Sequence, residues 1–429
     1  METSPLPWVA SAVIGQVASR LSSVRNIERK SKVQNSYPKV LTSKKQLGTY
    51  PMEKLKHVDK PTTKITDDIQ RIDEREHGFG KAYLGKLGPL TQREIGRFCE
   101  KYPISSAMWQ MAAHLKAIAN GEVASKEAPI PQDPELLSRH IKRLGYFLRA
   151  DIMGICRLPQ WAVYSHNLKG NPVELNHKFA IVIVVDQDYR TMNGSRGDDW
   201  ISCSQSFLSY TTSAFIACTM AAYIRRLGYP ARAHFEGATR DAYQASVTPL
   251  LLLAGIGEIC RAGIVLNPFL GTRFKAAVVT TDLPLEPDKP VDFGLQEFCQ
   301  NCKKCAVECP SKAIPMGDKV MYNGYEVWRF DMERCTKYRI NNQSGSACGR
   351  CIKVCPWNKP EGWTHDIVRW MVGHAPFLDK FIVKMDSLWG YGKQDIRDKW
   401  WFDLEDVDGV LQTPSVKKQQ LYKESRKIG

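Results

Sequence analysis

The sequence predicts an α/β (α+β) fold, in which a layered domain of sheet and helix is followed by a small cysteine-rich module. Residues 179–186 (FAIVIVVD) form a continuous, β-branched apolar run, which is typical of a strand covered on both faces. Residues 206–227 are apolar nearly all round at helical spacing and end at Gly228, so this helix should be central. Eight of the 13 cysteines lie between positions 299 and 355.

The remaining elements are predicted in chain order from composition and spacing. Residues 22–75 are rich in Lys, Ser, Thr and Pro, which predicts an extended, partly disordered arm. Helical spacing covers 91–120 and 133–156, and Asp133-Pro134 supplies a cap followed by proline at the first helical position. A short helix is expected at 250–254 and a second strand at 275–281.

These patterns divide the chain into four parts. They are an extended N-terminal arm (1–75), an α/β domain (76–295), a double-cluster module (296–358) and a C-terminal tail that packs back on the core (359–429).

The cysteines follow the spacing that holds two [4Fe–4S] clusters. The first run, C-x2-C-x2-C-x3-C-P, ends in proline and the second repeats most of this pattern, as in two-cluster ferredoxins. In such runs the fourth cysteine ligates the other cluster. We therefore predict one cluster on Cys299, Cys302, Cys305 and Cys355, and another on Cys335, Cys348, Cys351 and Cys309. Zinc would not require the third cysteine or the Cys-Pro ending.

The charge and the hydropathy of the chain limit the classes of partner that it could bind. The net charge of +15 is spread without a long basic block, so we expect no nucleic acid and consider an acidic electron carrier a natural partner. The sequence has no apolar run of about 18 residues, so it predicts no membrane-spanning helix. Residues 5–21 are apolar but lack the features of an export signal, so we expect a cytoplasmic protein. The alternative is a membrane-associated protein with a peripheral membrane contact.

Several phrases resemble the catalytic subunit of the cobalamin-dependent reductive dehalogenases. They are AGIGEICRAGIVLNP (254–268), TDLPLEPDKP (281–290), CPWNK (355–359), WTH (363–365), GYGK (390–393) and Trp400-Trp401. The resemblance covers about 140–402 and implies a nitroreductase-like α/β domain that binds a base-off corrinoid. It further implies that electrons pass through both clusters to Co(I), which cleaves a carbon–halogen bond and replaces the halogen by hydrogen.

The sequence departs from that family in three ways. The twin-arginine signal of the respiratory members is missing, and no flavin and ferredoxin module follows, so we expect an external low-potential donor of the ferredoxin or flavodoxin type. The family often carries an asparagine near the pocket, where this chain has Glu236 and Asp241. The small organohalide substrate, aryl or alkyl, is therefore left open.

The resemblance also implies site residues. Tyr210 would give the proton to the reduced carbon, and Arg261 would be a fixed cation beside it. Arg273 is the second candidate for that cation. Asp241 would face the same pocket. The alternatives are a core tyrosine, a salt bridge from Arg261 to Glu258, and a solvated loop carboxylate.

Two further expectations concern the corrinoid. Gly255, Gly257 and Gly263 would let the backbone approach a flat macrocycle, unless they are simple turn residues. His234 should not ligate cobalt, because Arg232 stands where such a histidine has its aspartate.

Two other functions remain as alternatives. An epoxyqueuosine reductase uses the same cofactors on tRNA, but its second cysteine run has a longer gap than the 12 residues between Cys335 and Cys348. A non-catalytic electron carrier would need only the cysteine module and not the residues that precede it.

Overall fold

The computed structural model describes residues 46–236, 243–343, 347–395, 404–407 and 410–413. The helices are α1 Gly78–Tyr83, α2 Pro89–Gly96, α3 Pro103–Leu115, α4 Pro134–Phe147, α5 Tyr189–Gly194, α6 Trp200–Arg226, α7 Val247–Leu253, α8 Leu295–Cys302, α9 Lys304–Val307, α10 Met332–Asn341, α11 Arg350–Lys353, α12 Trp363–His374 and α13 Asp379–Leu388. The strands are β1 Lys56–His57, β2 Ile152–Arg157, β3 Phe179–Asp186, β4 Ala231–His234, β5 Glu258–Ile259, β6 Val265–Leu266, β7 Phe274–Thr281, β8 Val291–Asp292, β9 Val320–Tyr322, β10 Tyr325–Val327, β11 Glu405–Val407 and β12 Val410–Gln412.

The main sheet has four strands in the order β2-β3-β7-β4, and each neighbouring pair is antiparallel. The longest pairing joins β3 to β7 over eight residues, from Phe179 opposite Thr281 to Asp186 opposite Phe274. The predicted strand at 179–186 has the bounds that the sequence indicated, and the predicted strand at 275–281 begins one residue earlier. The predicted fold class, mixed sheet and helix with a cluster module, is confirmed.

Alternate residues of β3 supply two separate hydrophobic cores, because successive side chains of a strand point to opposite faces. Ile181 and Ile183 pack into a core that contains the alanine-rich middle of α6. Val182 and Val184 pack into a second core with the leucines of α7. The sheet is therefore covered on both faces, as the unbroken apolar run of β3 predicted.

Helix α6 is the central helix and begins six residues before its predicted start. The Asp199 side chain accepts a hydrogen bond from Ser202 N and caps the helix, and Gly228 follows the helix end with φ of +90°. Among the described residues it is the one helix long and apolar enough to cross a membrane. It nevertheless packs against the core of the sheet, and 56% of its most apolar 18-residue stretch is buried.

Two predicted helical stretches are corrected. The stretch 133–156 is helical only to Phe147, after which Arg149 takes φ of +78° and the chain continues as β2. The β-branched residues of β2 favour the strand once the chain has turned. The stretch 91–120 is divided between α2 and α3, because Pro103 lacks an N–H and starts a new helix.

The described part of the predicted arm, residues 46–75, lies along the rest of the protein. Strand β1 pairs with β8, and Ile65 forms a bridge with Tyr325. Arg71 donates hydrogen bonds to the carbonyls of Val163, Tyr164 and Val173. Residues 1–45 lie outside the described residues, and so do Trp400 and Trp401 of the tail.

The predicted tail contains two helices that the sequence interpretation missed. Helices α12 and α13 are joined by a one-turn 3-10 helix at Pro376–Leu378. On the inner side of α13, the buried Asp379 accepts from Asn301 and the buried Asp386 accepts from Lys304. These contacts hold the helices against the first cysteine run.

Candidate active site and iron–sulfur centre

The first group of cysteines surrounds one cavity. Helix α8 carries Cys299 and Cys302, Lys303 then turns the chain with φ of +53°, and α9 carries Cys305. All three line one cavity, together with Cys351 and Cys355 from the second run. Cys309, the last cysteine of the first run, is not among its lining residues. The cavity therefore brings Cys355 to the first run, and the crossed assignment of the ligands stays a prediction.

The second group gathers around Cys351. Burial raises the pKa of the Cys351 thiol well above its usual range, and the nearby thiols of Cys348, Cys335 and Cys309 raise it further. Cys351 also borders the cavity of the first group. The two groups are therefore neighbours, which is the arrangement that a transfer of single electrons between two clusters requires.

The donor set fits iron–sulfur clusters better than single ions. No group of three or more His, Cys, Asp or Glu in the described part of the chain is spaced for one metal ion. A cubane is larger and is held by four thiolates around it. Burial raises the pKa of Cys302 to about 11 and the pKa of Cys348 to about 12, so these thiolates need the positive charge that iron supplies.

Arg261 supports the first cysteine run, and its hydrogen bonds do not include Tyr210, beside which it was predicted to lie. Its Nε donates to Cys299 O at 2.9 Å, and its Nη1 donates to Pro315 O at 2.9 Å and Gly317 O at 2.8 Å. The guanidinium also lies over the Trp328 ring, 4.8 Å from the centroid. The alternative salt bridge to Glu258 is not found either, since that carboxylate accepts from Thr62, Gln296 and Phe293 N.

The three predicted corrinoid-contacting glycines face protein atoms. A Cβ on Gly257 would lie 1.9 Å from Leu266 O, and one on Gly255 would lie 2.4 Å from Lys289 O. A Cβ on Gly263 would meet the Phe330 ring at 2.3 Å. Gly255 and Gly263 also have φ of +68° and +74°, which favours glycine. Close contacts with protein atoms therefore account for glycine at all three positions, and a contact with a macrocycle stays a prediction.

Tyr210 lies on α6, and we refer to the surroundings of Tyr210, Glu236, Lys275 and Arg339 as the cleft. The Tyr210 ring is partly exposed, yet burial raises the pKa of its phenol above the ordinary value, and Glu236 raises this pKa further. The phenol is therefore neutral at pH 7 and can act as a proton donor.

Glu236, Lys275 and Arg339 surround the same cleft. Glu236 follows β4 and has an exposed side chain, although burial raises the pKa of its carboxyl. The charges of Arg339 and Lys275 oppose that increase, so both cations lie near the carboxyl. Arg339 lies over the Phe79 ring at 4.8 Å, and its Nε has no hydrogen-bond partner in the described chain.

Lys275 is the cation beside Tyr210, and the sequence interpretation missed it. Its Nζ lies over the Tyr210 ring, 5.1 Å from the centroid. Burial and then Arg339 lower the pKa of Lys275 to about 8, whereas the nearby Cys351 and Glu236 act in the opposite direction. A lysine within a predicted buried strand is the signal that could have identified it, because lysine is almost never fully buried without a partner.

Of three other predicted residues, the structure describes His234 and Arg273. Both ring nitrogens of His234 are engaged, since Nε2 is 2.8 Å from Thr280 Oγ1 and Nδ1 accepts from Gln244 N at 3.2 Å. That His234 does not ligate cobalt stays a prediction. Arg273 pairs with Asp186 at 2.8 Å and so does not replace Arg261 in the cleft. Asp241 lies outside the described residues.

More aromatic side chains lie near the cleft. Tyr164 and Tyr243 are partly exposed, and burial raises the pKa of each phenol. Glu236 raises both further, with Glu74 also acting on Tyr164, and Tyr210 and Tyr164 raise the pKa of Tyr243, so Tyr243 is a neighbour of both tyrosines. His77 keeps an exposed side chain there, and burial lowers the pKa of its ring to about 4. Aromatic faces, an arginine Nε without a partner and a ring of ionisable groups suit a planar, polar-edged ligand.

Known proteins match this arrangement. The family of 4Fe-4S dicluster domains matches residues 298–359, which cover the predicted double-cluster module. The solved structure of the catabolic reductive dehalogenase NpRdhA in complex with 3-bromo-4-hydroxybenzoic acid superposes with a TM-score of 0.80 and 42% identity. The chain is related to the reductive dehalogenases. The predicted resemblance is confirmed.

Other reductive dehalogenases match different lengths of this chain. The tetrachloroethene reductive dehalogenase of Sulfurospirillum multivorans is 29% identical over 340 residues, 70% of this chain and 66% of that protein. The one from Desulfitobacterium hafniense is 37% identical over 244 residues, 54% of this chain and 41% of that protein. An epoxyqueuosine reductase of Lactococcus garvieae is 28% identical over 119 residues, 25% of this chain and 30% of that protein.

The chain is shorter than its reductive dehalogenase relatives. The match to NpRdhA covers 86% of this chain and 54% of that structure. A second solved reductive dehalogenase, described in connection with B12-dependent dehalogenation, gives a TM-score of 0.80 at 43% identity over 86% of this chain and 53% of that structure. The chain thus spans about half the length of the solved relatives.

Proposed function

We propose that this chain is a reductive dehalogenase that replaces the halogen of a small organohalide by hydrogen. In this reaction the carbon–halogen bond takes up two electrons and one proton, so that a carbon–hydrogen bond forms and a halide ion leaves. The observation that carries the proposal is the position of the Tyr210 phenol beside Lys275, in a cleft that adjoins the second cysteine group.

The electron path is proposed from the two cysteine groups. The eight cysteines would hold two [4Fe–4S] clusters in the crossed arrangement. An external low-potential donor, of the ferredoxin or flavodoxin type, would reduce the first cluster. The second would pass single electrons into the cleft, since Cys351 lies close enough to Lys275 to raise the pKa of that ammonium.

The cleft would also hold a corrinoid, which supplies the electrons that break the carbon–halogen bond. Tyr164, Tyr243 and Glu236 are the residues that would line its place. His234 would not contribute a ligand, because both of its nitrogens are engaged in hydrogen bonds.

The roles of the protein groups follow from charge. Tyr210 would donate its proton to the reduced carbon, which leaves a phenolate in a poorly solvated cleft. The Lys275 ammonium beside the ring would stabilise that phenolate, and Arg339 would stabilise the departing halide as a second cation. Glu236 opposes both cations, because its negative charge raises the pKa of Tyr210 and keeps the phenol protonated before the proton is transferred.

Removal of one hydroxyl group tests the proposal. In Tyr210→Phe the ring is retained and the donor is lost, so we expect turnover to fall by at least about 100-fold, within the usual range of general-acid catalysis. The protein would be reconstituted without oxygen with iron, sulfide and a corrinoid, reduced chemically, and assayed for halide release from chloroethenes and halogenated phenols.

A matched control lies on the same helix. Tyr223 donates or accepts a hydrogen bond with His140 at 2.8 Å, outside the cleft, so Tyr223→Phe should leave turnover unchanged. Cluster and corrinoid spectra should be the same in both variants. Full activity of a loaded Tyr210→Phe variant would remove Tyr210 from the mechanism, and no halide release from any substrate by the loaded wild type would refute the function.

A further inference from the structure

Seven large apolar side chains are exposed along the segment of α12 and α13, five on the two helices, one in the 3-10 helix between them and one directly after α13. Phe377 is 84% exposed and Trp363 is 72% exposed, among the highest values for apolar residues in the described chain. We refer to this set as the C-terminal aromatic surface. Its members are Trp363, Ile367, Trp370, Phe377, Phe381, Leu388 and Trp389. Patches of this kind mark an interaction site, because soluble proteins rarely expose contiguous apolar groups without a function.

The spacing places these residues in stripes along the helices. Trp363, Ile367 and Trp370 are separated by four and three residues, which puts them on one face of α12. Phe381 and Leu388 are seven residues apart and share a face of α13. The opposite side of each helix contacts the rest of the protein. On α12 this side carries the buried Val372, and on α13 it carries Asp386, which pairs with Lys304. The aromatic faces are therefore not needed to hold the helices in place.

The charge of this surface is positive. Lys380, Lys384 and Lys393 are exposed among the aromatic residues. Of the nearby carboxylates, Asp366 pairs with Arg369 and Asp379 and Asp386 are buried, whereas Glu297 and Glu361 are exposed. A second copy of the chain would bring an equally positive face and a net charge of +15 against it. Charge complementarity therefore favours a negatively charged partner.

We propose that the C-terminal aromatic surface binds the surface of an anionic lipid bilayer. Tryptophan and phenylalanine on one face of a helix, with lysines beside them, are typical of helices that lie in the headgroup region of a membrane. Tryptophan is enriched at this level because its ring is apolar and its N–H is polar. The lysines add electrostatic attraction to anionic headgroups.

This position would bring the first cysteine group to the membrane. Helix α13 is bonded to the loop between Cys302 and Cys305 through Lys304 and Asp386. A groove between α12 and α13 extends to Pro356 and Trp357, next to Cys355. A donor held at the bilayer would therefore meet the first cluster before the second.

Vesicle binding by the full chain tests this inference. Wild-type protein should co-sediment with vesicles of phosphatidylglycerol and phosphatidylcholine, and binding should weaken with salt. The triple variant Trp370→Ser, Phe377→Ser, Phe381→Ser should bind at least about tenfold less, because its apolar contacts with the headgroup region are removed. Phe147→Ser is the matched control, since Phe147 is 79% exposed at the end of α4 and should not affect binding.

A charge variant and the oligomeric state complete the test. Lys380→Gln with Lys384→Gln should reduce binding to anionic vesicles and lower its dependence on salt. Circular dichroism and iron content should confirm that every variant is folded. Equal vesicle binding by the wild type and the triple variant would overturn the inference. A wild-type dimer that the triple variant abolishes, without vesicle binding, would overturn it as well and assign the surface to a second copy.

Discussion

The two cysteine groups have different charged neighbours. Around the first, Lys304 and Lys359 share one buried carboxylate, that of Asp386, and Lys304 lies 2.5 Å from it. Beside the second, Lys275 has no ion pair in the described chain and lies over the Tyr210 ring. The lysines of the first group are paired within the protein, whereas the lysine of the second faces an open cleft.

Under the proposed function, this difference leads us to expect one direction of electron flow. Paired charges change little during a reaction and suit a relay. An unpaired ammonium in a poorly solvated cleft can respond to charge that develops on a substrate or on Tyr210. We therefore expect the first group to receive electrons and the second to deliver them, and each prediction below tests one part of this comparison.

The largest effect is expected from the loss of one cluster. Cys355→Ala removes a thiolate from the first group, although Cys355 belongs to the second run. We expect turnover to be lost, and electron paramagnetic resonance to show the second cluster without the first. Iron content should fall from roughly eight per chain towards about four.

The converse variant is the control. Cys351→Ala should affect the second cluster first, because Cys351 lies among Cys335, Cys348 and Cys309. If Cys355→Ala instead destroyed the second signal and preserved the first, the crossed assignment would be wrong.

The next effect is expected at Lys275. Lys275→Met keeps the length of the side chain and removes the ammonium, so turnover should fall about 10- to 100-fold through lost stabilisation of the Tyr210 phenolate. The pKa of Lys275 is lowered to about 8, so the group is charged below that pH and neutral above it. Wild-type turnover should therefore decrease as pH rises through about 8.

A pH profile distinguishes this role from a structural one. The Met variant should lack the decrease near pH 8. Lys319→Met is the control, because Lys319 lies 4.7 Å from the centroid of the Trp328 ring beside the first group and should keep the wild-type profile. An unchanged profile in Lys275→Met would show that another group titrates.

The cysteine module was predictable from the sequence, and the cleft was predictable only in part. Cluster ligands need a fixed local spacing, so the runs themselves carry the information. Tyr210 lies on a helix whose apolar pattern was evident. Lys275, Glu236 and Arg339 come from three separate elements, and their meeting depends on the antiparallel order of β4 and β7 and on the packing of α10. No local pattern encodes that meeting.

Arg261 shows why a resemblance in sequence can misplace a role. Its phrase, residues 254–268, forms the β5–β6 hairpin, and the hairpin carries the guanidinium to the first cysteine run. Glycines in the same phrase are required by close backbone contacts. A phrase that marks a family can therefore reflect the construction of its fold as much as its chemistry.

A smaller effect on turnover is expected at Asp386. Asp386→Asn removes the carboxylate that Lys304 and Lys359 share, which leaves more positive charge near the first cluster. Positive charge favours the reduced cluster, so its midpoint potential should rise while that of the second changes less. A redox titration followed by electron paramagnetic resonance measures both. Equal shifts in the two clusters would contradict the comparison.

The smallest effect on turnover is expected from Arg261→Lys, although the residue is buried. The planar guanidinium donates to carbonyls of four residues, Cys299, Gln300, Pro315 and Gly317, and a lysine cannot reproduce that fork. The loss of buried, charge-assisted hydrogen bonds should lower the free energy of unfolding by about 2 kcal/mol. Thermal unfolding of the cluster-loaded protein measures this loss, and the first cluster should be the one released more readily. Because the hydrogen bonds of Arg261 do not include Tyr210, turnover of fully loaded protein should stay within about threefold of the wild type. A large decrease in turnover with both clusters intact would instead return Arg261 to the chemistry of the cleft and remove the distinction between a supporting first group and a reactive second one.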